Sequence, residues 1–97
     1  MINLFDSFTT KKHEFIVKEK DMIEVMNMIQ VAQYTGNRTL GMNVGQCDWG
    51  FEPNLWFIHV CLTNDQWSVL LCECKKKQYQ LIVKDNPNEM YFTKRES

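Results

Sequence analysis

Positive charge is not in excess in this chain: eleven Lys and Arg stand against twelve Asp and Glu, a formal net charge of -1. An electrostatic footprint for nucleic acid is therefore absent at the level of the whole chain, and no nucleic-acid partner is expected. The only dense basic run, Lys75-Lys76-Lys77, falls near an expected helix C-terminus, where cations offset the exposed carbonyl dipoles. No apolar run approaches the ~20 residues that a membrane-spanning helix needs, so no membrane role is expected. The opening Met1-Ile2-Asn3-Leu4-Phe5-Asp6-Ser7-Phe8 has neither a positive flank nor a long apolar stretch, and it does not read as a secretory signal. A cytoplasmic address with reduced thiols is the expectation. With two prolines and four glycines there is no proline-rich linker, no low-complexity tract and no internal repeat. Residues 1–97 read as one domain, with 1–12 as an N-terminal arm.

Signatures of catalysis are missing too. GxSxG, HExxH, Walker and GxGxxG patterns do not occur. Cys47, Cys61, Cys72 and Cys74 do not have zinc-finger spacing, and Cys72-Glu73-Cys74 is not a CxxC pair. Cys61 falls in an apolar strand and Cys74 on an apolar helix stripe, where a reduced cysteine behaves as a small hydrophobe. No metal, no cofactor and no catalytic residue is assigned.

What is present is periodicity. His13 to Lys18 reads as a strand with Phe15, Ile16 and Val17 in a row. Asp21 and Glu24 have capping-box spacing at the head of a helix whose stripe is Met22, Val25, Met26, Ile29 and Ala32. Thr35-Gly36-Asn37 ends it. Arg38 to Gln46 alternates with Leu40, Met42 and Val44 on one side, and two glycines opposite suit an edge strand. Leu55 to Leu62 is apolar on both faces and reads as a central strand. Thr63 and Gln66 cap a second helix, with Trp67, Leu70, Leu71 and Cys74 as its buried stripe and Val69 and Cys72 on the opposite side. Tyr79 to Lys84, a turn at Asp85-Asn86-Pro87-Asn88, and Glu89 to Lys94 form a closing hairpin.

The order β-α-β-β-α-β with an extra C-terminal strand resembles the ferredoxin-like superfold. That resemblance implies an α+β two-layer sandwich with an antiparallel sheet, both helices on one face, and the first and third strands central.

Such a sandwich leaves one sheet face to water, and here that face is too apolar. If Trp56, Ile58, Val60 and Leu62 meet the helices, then Leu55, Phe57, His59 and Cys61 do not. Either Ile16 or the pair Phe15 and Val17 joins that outer face, and either Ile82 or the pair Leu81 and Val83. Several such side chains exceed the patch a monomer usually exposes. Three covers are weighed: the arm through Leu4, Phe5 and Phe8, a second subunit, and a protein partner or small ligand. The first two rank highest.

The favoured function is a small non-catalytic binding or regulatory module acting through this face as a homodimer. Its candidate binding residues are Trp49 and Phe51 on the 47–54 connection, and Phe57 and His59 on the third strand. The alternative is a small enzyme with a Cys/His site at His59 and Cys61, with Asp48 or Glu52 orienting the imidazole. Single-stranded RNA binding with Phe57 as a stacking platform ranks lower, because the strand lacks the basic start and glycine of that motif.

Overall fold

The computed structural model describes residues 10–35, 41–47, 54–83 and 89–95. Strand β1 (Thr10–Lys18) runs through a single 3-10 turn (Glu19–Asp21) into helix α1 (Met22–Gln33). Strands β2 (Met42–Gln46) and β3 (Leu55–Thr63) follow, then helix α2 (Asn64–Lys76), β4 (Tyr79–Val83) and β5 (Glu89–Lys94). No helix among the described residues is long and apolar enough to cross a membrane.

The α+β class is as expected, but the sheet is mixed rather than antiparallel. Its order is β2-β3-β1-β5-β4. β3 pairs antiparallel with both β1 and β2, and β4 with β5, while β5 lies parallel to β1. The ferredoxin-like order would set the strand after α2 beside β1; here the last strand takes that place and β4 becomes the edge. The physical reason lies in what each hairpin strand offers. Phe92 of β5 is 3% exposed and meets Phe15 of β1 edge-on, with ring centroids 4.9 Å apart. Leu81, its register partner on β4, is only partly buried. Tyr79 of β4 is buried as well and meets Phe92, so what sets β5 beside β1 is the direct contact of Phe92 with Phe15, which alternation within each strand does not reveal.

The helices lie on one side of the sheet, and the structure decides which side of β3 they cover. Ile58, Val60 and Leu62 join Phe15, Val17 and Phe92 in the core beneath Val25, Ile29 and Ala32 of α1 and Leu70 and Cys74 of α2. His13, on the same side of β1 as Phe15, stacks on Trp67 of α2 at 4.5 Å with the rings nearly parallel. Met28 is buried though it lies off the expected α1 stripe. In α2, Leu71 is exposed, and Val69 packs against the core in its place. Cys72 is exposed as expected, and none of the four cysteines is in a disulfide.

Two polar devices hold the helices. The α2 capping box forms: the Gln66 backbone N–H donates to Thr63 Oγ1 at 3.1 Å, and the Thr63 N–H donates to Gln66 Oε1 at 2.9 Å. Gln66 is fully buried, and its Nε2 donates to the carbonyl of Gln33 at 3.1 Å and of Thr35 at 3.4 Å. One side chain thus starts α2 and satisfies carbonyls at the end of α1.

The box expected at Asp21 does not form. Asp21 sits at φ -100, ψ -2, in helical rather than extended backbone, and makes no side-chain cap bond. Instead the Tyr79 hydroxyl donates to Asp21 Oδ1 at 3.2 Å across the buried layer. Burial, and then the Asp21 and Glu24 carboxylates, push the Tyr79 hydroxyl well above the ordinary phenol range, so it remains a donor.

Two outcomes are expected. Tyr79→Phe leaves the buried Asp21 oxygen without its donor and lowers unfolding stability by about 1–3 kcal/mol in urea titrations near neutral pH. Asp21→Asn in the Tyr79→Phe background then costs less than it does alone. The second concerns His13, whose pKa is lowered by burial and then by Lys11. The unfolded imidazole, near 6.5, takes its proton before the folded one, so the stability from the neutral stacked ring is complete above that value and is lost progressively as pH falls from it through the lower folded pKa. Thermal midpoints should decline as pH falls below the unfolded value of about 6.5, and His13→Phe should flatten that decline.

Candidate interaction face

Strand alternation places every second side chain on the sheet face opposite the helices. Register then aligns these residues into rows across the strands. One row runs Gly45 (β2), Phe57 (β3), Ile16 (β1), Tyr91 (β5) and Ile82 (β4). The neighbouring row runs Asn43, His59, Glu14 and Glu89. On the other side of the apolar row, Lys18 pairs with Leu55 and Gln80 with Thr93.

The apolar row spans the whole sheet because Gly45 admits it. A Cβ at Gly45 would stand 2.7 Å from Cε1 of Phe57 and closer still to Cζ. The ring therefore lies across β2 instead of standing upright. Ile16 is 1% exposed, while Phe57, Tyr91 and Ile82 are half-buried.

The polar row is tied to the apolar one. The His59 ring stacks on Phe57 with centroids 4.6 Å apart and planes 27° apart. His59 Nε2 lies 3.4 Å from Glu14 Oε2, an ion-pair distance without hydrogen-bond alignment. The Tyr91 hydroxyl donates to Glu89 Oε1 at 3.1 Å. Aromatic edges and carboxylates thus share a flat surface.

Of the residues expected to bind, Phe57 and His59 come together on this face. Trp49 and Phe51 lie outside the described residues, as do Asp48, Glu52 and the arm residues Leu4, Phe5 and Phe8. The carboxylate beside His59 is Glu14, from the adjacent strand. Cys61 shares the face, two residues further along β3 and in register with Lys12. Between the two alternatives at each strand, the structure selects Ile16 and Ile82. Glu14, Tyr91 and Gly45 were not expected: their place depends on register between distant strands, and only the glycine on the outer side of β2 hinted at a close approach. Burial first, and then Glu73, push the Cys74 thiol up to about 11, which keeps it protonated in the core. Among the described residues there is no group of three or more His, Cys, Asp or Glu that could hold a metal ion.

Comparisons with known protein families, with curated proteins and with solved structures find no match.

The overlap at Gly45 yields a double-mutant test. Gly45→Ala alone should destabilise, because the Phe57 ring must lift from the sheet. In a Phe57→Ala background the same change should be neutral or stabilising, since alanine costs less backbone entropy than glycine in a strand. Chemical denaturation of the four proteins should give a coupling of about 1–2 kcal/mol.

Proposed function

We propose that the chain is a small non-catalytic interaction module, that its working surface is the outer sheet face, and that the partner on that face is a second copy of the chain. The observation that carries this reading is the continuous row Phe57, Ile16, Tyr91 and Ile82, which crosses four strands on the side away from the helices. Apolar side chains placed in register on a flat sheet form an anchor strip with a polar rim, here Asn43, Glu14 and Glu89. Burying Phe57, Tyr91 or Ile82 more fully contributes on the order of 1 kcal/mol each, since these three are already half covered, while Ile16 is buried beforehand and adds nothing.

The face is small. Five strands spaced ~4.8 Å apart and ~20–25 Å long offer roughly 500 Å² a side, near the lower limit of a specific interface. A weak, exchanging dimer follows from that area.

Single-stranded RNA is less well served. The first strand presents Ile16 where a stacking platform needs an aromatic, and Glu14 and Glu89 would face the phosphates. A Cys/His enzyme is also less well served, because among the described residues no hydrogen bond joins the His59 imidazole to the Cys61 thiol, although Glu14 stands where a carboxylate could orient the ring.

Sedimentation equilibrium over a wide concentration range tests the reading. The expected result is reversible self-association to twice the 11.6 kDa chain mass. Ile82→Asp, at the edge-strand end of the row, should raise the dissociation constant at least about tenfold with an unchanged far-ultraviolet spectrum. A protein that stays monomeric up to millimolar concentration would contradict it.

A further inference from the structure

The charges on the outer face discriminate between the ways a second copy can sit on it. We propose that two chains stack outer face on outer face about a two-fold axis running along the Phe57–Ile16–Tyr91–Ile82 row, so that Lys18 of each copy lies over Glu14 of the other. This rests on the self-association reading above and adds the geometry to it.

The axis of an isologous pair of stacked sheets lies in the plane between them. Its two limiting directions are along the strands and across them. An axis along β1 lays that strand on itself without reversing it. Glu14 then faces Glu14 and Lys18 faces Lys18, and like charges brought together oppose association. An axis across the strands, along the apolar row, lays each strand on its own counterpart in the reverse direction. The apolar row meets itself, and the rows on either side of it exchange.

That exchange pairs opposite charges. Glu14 and Lys18 stand on the same face of β1, two residues to either side of Ile16. Reversal about Ile16 therefore superposes Lys18 of one copy on Glu14 of the other, and symmetry makes the contact twice. On β5, Glu89 and Thr93 stand two residues to either side of Tyr91, so the Thr93 hydroxyl is brought to the Glu89 carboxylate. The sheets would stack ~10 Å apart with strands aligned within ~30°, a gap that a lysine and a glutamate side chain span together.

Lys18 and Lys20 lie at this end of the sheet in a cleft that Asp21 also lines, while Lys94 of the same cleft is paired with Glu24 of α1. Among the described residues Lys18 has no ion pair, while Glu14 has only the imidazole of His59, which carries charge only when protonated.

A charge-swap mixture tests the arrangement. Lys18→Glu and Glu14→Lys are prepared separately, one of them isotopically labelled, and native mass spectrometry at low ionic strength follows each alone and the two mixed. Alone, each variant sets like charges against each other twice, and its dissociation constant should rise about tenfold or more. Mixed, both contacts become attractive again, and the heterodimer should dominate over either homodimer. Lys18→Glu changes an exposed side chain; Glu14→Gln serves as the milder partner should Glu14→Lys unfold, and the expected heterodimer preference is then smaller but of the same sign. Wild-type dimers with variants that associate like wild type and show no heterodimer preference would overturn the axis and leave the interaction face standing. Wild-type chains that do not associate at all would overturn both.

Discussion

Side-chain alternation along a strand, combined with helices on one side only, is the constraint from which the other features follow. β3 is apolar on both faces, so packing Ile58, Val60 and Leu62 under the helices necessarily turns Leu55, Phe57, His59 and Cys61 to the opposite side. No rearrangement within that strand removes the conflict, since a slip of one residue only exchanges the two sets. The sheet accommodates part of it internally. Phe57 lies down over Gly45, His59 stacks on Phe57, and Ile16 is almost fully covered. What remains among the described residues is the half-buried set Phe57, Tyr91 and Ile82 on the side of the sheet away from the two helices.

The helix side is held by contacts that are individually modest and mutually dependent. Gln66 spans the start of α2 and the end of α1, so the two helices are ordered together. Tyr79 fixes Asp21 at the entrance to α1 from the first residue of β4. Phe92 locks β5 against β1. Each of these contacts joins elements that are distant in the chain, and each helps set the register that lines up Phe57, Ile16, Tyr91 and Ile82 on the far side. The outer face is in this sense a product of the core on the other side of the sheet.

Much of this was legible from local pattern. The strands and helices, the Thr63–Gln66 capping box, the closing hairpin and the central position of β3 all follow from spacing over a few residues. The outer position of Phe57 and His59 was one of two options that alternation allowed. Neighbourhood across the sheet was not legible. Whether β4 or β5 sits beside β1 depends on the match between Phe92 and Phe15, seventy-seven positions apart, and local periodicity is silent on such matches. The same holds for Glu14 beside His59 and for Asp21, whose capping-box spacing suggested a local bond that Tyr79 draws away. Trp49 and Phe51 lie outside the described residues, so the aromatic connection contributes nothing to the account.

The central claim is that a second copy covers the outer sheet face, and isotope-filtered nuclear Overhauser spectroscopy on an equal mixture of labelled and unlabelled chains tests it most directly. The account predicts intermolecular contacts between Phe57, Tyr91 and Ile82 side chains of one copy and the same residues of the other. Intermolecular contacts confined to the helix side, at the exposed Ile23 and Tyr34 of α1, would contradict it.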